Sequence, residues 1–69
     1  PATKALFRRV LDLIQGEFSN SAWQAFWLTT VEERTSREAA SELGMTPGAV
    51  RQAKYRILHR VREEVGDVD

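Results

Sequence analysis

Within Gly44-Met45-Thr46-Pro47 one helix has to stop and another has to start. Glycine accepts the left-handed backbone that closes a helix. Two residues later a threonine hydroxyl can cap a new helix, and proline suits its first position because the missing N–H would be unpaired there anyway. Upstream, Thr35-Ser36-Arg37-Glu38 has the form of a capping box, a hydroxyl at the cap and a glutamate three residues on. The spacing predicts a short helix over about 36–43, ended by Gly44, that buries Ala39, Ala40 and Leu43. Downstream it predicts a long one over about 47–65, roughly 28 Å at 1.5 Å per residue. Val50, Ala53, Ile57, Leu58 and Val61 form its inner seam. Glu63 and Glu64 sit unfavourably at a helix C-terminus, so the last turn is expected to fray before the acidic tail.

The preceding residues show the same helical period and no strict alternation. A first helix is expected over about 4–15, with Thr3 as its cap, Gly16 as its stop, and Leu6, Phe7, Val10, Leu11 and Ile14 on one buried face. Phe18-Ser19-Asn20-Ser21 reads as a break with capping residues, followed by a second helix over about 20–31. Ala22, Ala25, Phe26, Leu28 and Thr29 face inward on it, and Trp23 and Trp27 lie four apart on an adjoining stripe. Two tryptophans exceed what one core face of so small a domain needs, which makes them candidates for a partner surface. The fold class expected is all-α: four helices, the last two forming a helix-turn-helix with a long C-terminal recognition helix.

Composition removes most other classes. Sixty-nine residues make at most one small domain, and 42% hydrophobic with 29% charged residues is a globular balance. Without cysteine there is no disulfide framework or thiolate metal site, and a lone histidine makes a zinc site improbable. No apolar run approaches the roughly 20 residues of a membrane span, and the start is no signal peptide. The expected setting is cytoplasmic, with no membrane, cofactor, metal or small-molecule substrate. Beginning at Pro1, the chain reads as a piece of a longer protein. Clustered carboxylates, a Ser/His/Asp arrangement and a Gly-rich phosphate loop are all missing, so no enzyme is expected.

Charge is balanced in sum but not in place. Residues 45–62 hold Arg51, Lys54, Arg56, Arg60 and Arg62 with no acid, a net of +5 in a chain whose total is zero. Such a segment presents a one-sided positive face to a polyanion, or forms the solvated side of a surface helix. Arg51, Gln52, Lys54, Tyr55, Arg56 and His59 point away from the packing seam. Arginine pairs with guanine, glutamine with adenine, and tyrosine packs on a base or methyl edge. Lysine, histidine, Thr46 and the N–H groups at the helix start beside Pro47 suit phosphate. Arg60 and Arg62 read as backbone steering or a solvated face.

A resemblance adds to this reading. The carrying stretches are Phe18-Ser19, Phe26-Trp27-Leu28, Glu32-Glu33-Arg34-Thr35, Glu38-Ala39-Ala40 and Gly44-Met45-Thr46-Pro47-Gly48-Ala49-Val50 with its basic continuation Arg51-Gln52-Ala53-Lys54-Tyr55-Arg56. From Phe18 onward the sequence resembles region 4 of bacterial sigma factors, especially the extracytoplasmic-function (ECF) type of the sigma-70 family. That family shows Glu-Gly-x-Ser, a Glu-Ile-Ala helix and Gly-x-Ser-x-Gly-Thr-Val at matching spacing. Ser19, Trp23, Ala39, Ala53 and Lys54 depart from its usual residues, leaving open how Lys54 and Tyr55 divide the outer face. The resemblance implies recognition of the minus-35 promoter element by the last helix, within RNA polymerase holoenzyme. It also implies contact with the polymerase beta-subunit flap or an anti-sigma factor, for which Phe7, Leu11, Trp23 and Trp27 are the candidates. Two other readings stand beside it: the output domain of LuxR-type regulators, and a helical protein-interaction module that binds no DNA.

Overall fold

The structure, a computed structural model, describes the backbone of residues 2–66 and the side chains of residues 5–66. Four helices follow in order and no strand occurs among the described residues: α1 (Ala2–Gln15), α2 (Asn20–Thr30), α3 (Ser36–Leu43) and α4 (Pro47–Val65). The all-α expectation holds, with the helix-turn-helix in α3 and α4. α1 starts at Ala2, ahead of Thr3, so Thr3 lies inside the helix and is not its cap. Asp67 and Asp69 of the acidic tail lie outside the described residues. None of the described helices is long and apolar enough to cross a membrane.

Local chemistry sets the ends. Ser19, Thr35 and Thr46 each sit in extended backbone and accept from the N–H three residues on, at Ala22, Glu38 and Ala49. The capping box closes reciprocally, since the Glu38 carboxylate accepts from the Thr35 N–H at 3.0 Å. That N–H, and next the Thr35 hydroxyl, holds the Glu38 carboxyl below the usual carboxylate range. Gly44 closes α3 at φ 69°, and the Met45 N–H returns to the Ala40 carbonyl.

α4 packs against each of the other three helices. Toward its C-terminal half, Ile57 and Val61 meet Val10, Leu11 and Ile14 of α1 and Trp23 and Phe26 of α2. The Trp23 and Phe26 rings lie 5.1 Å apart at 44°, a tilted pair. Toward its N-terminal half, Val50 and Ala53 meet Ala25 and Leu28 of α2 and Ala39 and Ala40 of α3. The alanines let α3 approach α4 closely, and Val50, with no exposure, fills the angle between them. Buried Thr29 donates its hydroxyl to the Ala25 carbonyl at 2.8 Å, so its burial leaves no polar atom orphaned.

Two expectations need correcting. Leu6 and Phe7 are about half exposed, because the first turns of α1 overhang the core that receives Val10, Leu11 and Ile14. Leu43 is only half-buried. α4 is helical to Val65, with Glu64 paired to Arg60 one turn back at 2.7 Å and Glu63 lying 3.6 Å from the His59 ring.

The α2–α3 loop carries a strained residue. Glu33 has φ 56°, a left-handed conformation that costs a residue with a Cβ roughly 1–2 kcal/mol. The sigma-type pattern has glycine at this step. Replacing Glu33 by Gly relieves that cost while adding freedom to the unfolded chain, for a net gain of about 0.5 kcal/mol. The melting temperature should rise by roughly 2–4 °C. A thermal melt followed by circular dichroism checks this, and a lower midpoint would mean that the Glu33 side chain contributes more than its backbone costs.

Candidate nucleic-acid interface

The start of α4 is built by the turn. Thr46 uses both its oxygens inward: the hydroxyl accepts from the Ala49 N–H at 3.1 Å and the carbonyl from the Val50 N–H at 3.0 Å. Pro47 has no N–H. Gly48 therefore supplies the free N–H at this end, with open space around its Cα. The expectation of several free N–H groups narrows to that one.

Beyond the first turn the buried residues Val50, Ala53, Ile57 and Val61 recur three and four apart, which turns the positions between them outward. Arg51, Gln52, Tyr55, Arg56 and His59 are exposed, and Tyr55 is 62% so. Lys54 is half-buried, with its ammonium 5.8 Å from the centroid of the Tyr55 ring. The open question of these two positions is answered by Ala53: it occupies the seam, which leaves Lys54 on the flank and Tyr55 on the outer face.

The five cations of the segment separate into two groups. Arg51, Lys54, Arg56 and Arg62 make no ion pair among the described residues. Arg60 points the other way. Its Nε and Nη2 donate to the two carboxylate oxygens of Glu17 at 2.9 and 3.0 Å, and its remaining nitrogen lies 2.7 Å from Glu64. Glu17, and then Glu64, hold this guanidinium even more firmly protonated than usual. Arg60 thus ties the α1–α2 turn to α4, with 29% of its side chain still open to water. Sequence reasoning missed Glu17, for which a single acid in a turn gives no local signal. With Glu17, Glu63 and Glu64 at one end, positive charge is concentrated in the first two-thirds of α4.

The four candidates for a protein contact do not stand together. Leu11 and Trp23 are buried, at 7% and 8% exposure, and belong to the core; Phe7 and Trp27 remain on the surface. Trp27 is a ridge between two furrows. One, of about 230 Å³, runs between α1 and α2 past Arg8 and Asp12; the other, of about 320 Å³, lies between α2 and α3, with Glu32 and Glu42 on its rim. Leu13, 71% exposed, is an apolar surface residue that the periodicity passed over.

Residues 24–61 match the family model of sigma-70, region 4, a stretch reaching from the second residue-turn of α2 to the last buried residue of α4. The match covers more than half of the chain. This chain belongs to the sigma-70 region 4 family. Searches of curated proteins and of solved structures give no significant match. Region 4 is a DNA-binding family rather than an enzyme family, and its general partners are promoter DNA and RNA polymerase. α3 and the part of α4 up to Val61 fall within the match, while α1 and the end of α4 beyond Val61 lie outside it.

Proposed function

We propose that this region 4 domain recognises the minus-35 promoter element as part of an ECF-type sigma factor acting in the cytoplasm. Thr46, Pro47, Arg51, Gln52, Lys54, Tyr55, Arg56 and His59 are the residues proposed to meet DNA. The observation that carries this reading is the outer face of α4, where Arg51 and Arg56, without an ion-pair partner among the described residues, flank exposed Gln52 and Tyr55. No carboxylate interrupts residues 45–62. The helix is presented by a short brace and a tight turn, as a helix entering a major groove about 12 Å wide requires. Arg51 and Gln52, earliest on the helix, are the base readers; the Gly48 N–H and Arg62 suit phosphates. Family membership favours a sigma domain over a LuxR-type output domain. The polymerase flap, or an anti-sigma factor in its place, is proposed to meet the side of the domain bearing Trp27 and Phe7, with the edges of Leu11 and Trp23 beneath.

Salt dependence tests the DNA part. A domain touching four to six phosphates should show log K falling with log salt at a slope of about −3.6 to −5.4 on a promoter duplex. A slope near zero would leave the protein-interaction module, for which the furrows beside Trp27 are the specific support.

A further inference from the structure

Tyr55 is the one aromatic residue in the α4 sequence, and the core does not use it. It stands one turn after Arg51 and one turn before His59, at the middle of the outer face, and 62% of its surface is open to water. Its hydroxyl has no hydrogen-bond partner among the described residues. Lys54 holds its ammonium 5.8 Å from the ring centroid, which places a cation beside the ring and favours one side of it. Next to the ring opens a hollow of about 570 Å³, lined by apolar Leu58, Val61 and Val65 and rimmed by His59 and Arg62. An exposed ring at the lip of an apolar hollow, amid cations, is suited to an apolar contact alongside a polyanion.

Building on the DNA-binding reading, we propose that Tyr55 is a specificity-determining residue and that its ring reads the C5 methyl group of a thymine. Among the base edges of the major groove, thymine is the one that presents a carbon group, and aromatic or methyl-bearing side chains are what contact it. Tyr55 lies one turn from Gln52 on the same exposed side of α4, so both can face one groove. The hydroxyl is not required for this contact, which separates it from a tyrosine that donates to phosphate.

The test uses a preferred duplex selected from a random pool, in which each thymidine is replaced singly by deoxyuridine, so that only a methyl group is removed. For the wild-type chain one position should lose about fourfold in affinity, the value of one methyl withdrawn from water. Tyr55→Phe should keep both the affinity and the dT-over-dU preference. Tyr55→Ser should weaken binding to the dT duplex and erase the preference, with an unchanged circular dichroism spectrum. Equal binding of every dU duplex by the wild type, or a Phe variant as weak as the Ser variant, would overturn the proposal while leaving DNA binding intact. Absence of any salt-sensitive DNA binding would overturn both it and the reading on which it rests.

Discussion

Val50→Asp should leave the chain unfolded. Val50 has no exposed surface and packs among Ala25, Leu28, Ala39, Ala40 and Ala53, none of which offers a partner to a carboxylate. A charge buried without a partner costs more than about 4 kcal/mol. A domain of this size has on the order of 3–10 kcal/mol in total. The carboxylate would also lie at the junction of α2, α3 and α4, among apolar side chains of all three helices. Expected are the loss of helical circular dichroism and the collapse of amide resonance dispersion. Val50→Ala provides the comparison: it leaves a small void, costs roughly 2 kcal/mol, and should still fold with a lower midpoint. A Val50→Asp chain that melts cooperatively near the wild-type temperature would mean that the angle between α3 and α4 is not closed by this residue.

Replacing Arg51 and Arg56 together by alanine should do the reverse, sparing the fold and removing DNA binding. Both residues are exposed and unpaired among the described residues, so their loss breaks no ion pair there. An arginine on a base edge is worth about 1–3 kcal/mol, and the two sites share no partner, so the effects should add. The double variant should bind a promoter duplex roughly 30- to 20,000-fold more weakly. Arg9→Ala, which removes an exposed cation from α1, should change binding by less than about threefold at moderate salt. Fluorescence anisotropy with the three proteins side by side measures this. Equal weakening by Arg9→Ala and by the double substitution would show that DNA responds to overall charge and not to the face of α4.

The parts of this fold that could be read in the sequence are those fixed by neighbours along the chain. The Thr35–Glu38 box, the left-handed Gly44 and the Thr46-Pro47 start each satisfy backbone groups within a few residues, so residue type and spacing suffice. The seam of α4 was legible for a similar reason, since one apolar residue per turn can only face one way. What escaped depends on distant residues. Glu17 and Arg60 are 43 positions apart, and nothing near either announces the other. Trp23 and Trp27 share a stripe of α2, yet the first is covered by α1 and the Phe26 ring while the second projects past them. Periodicity gives the direction of a side chain; it does not give the length of the helix lying opposite. Leu6 and Phe7 were misjudged on that account, pointing the right way but beyond the end of the core. On the outer face of α4 the residue types suggested a ligand without naming the base each one meets, because that depends on how the helix is tilted in a groove.

The same helix that offers its outer side to a ligand is the one every other helix leans on. Two alphabets are therefore interleaved along one segment. Val50, Ala53, Ile57 and Val61 spell the fold, and on the proposed reading the outward letters between them, Arg60 apart, spell the preference for a site. Substitutions among the second set can drift, and the preferred site with them, without any change in what keeps the domain standing. A descendant could thus acquire new target sequences through a handful of outward positions while its interior stayed the same.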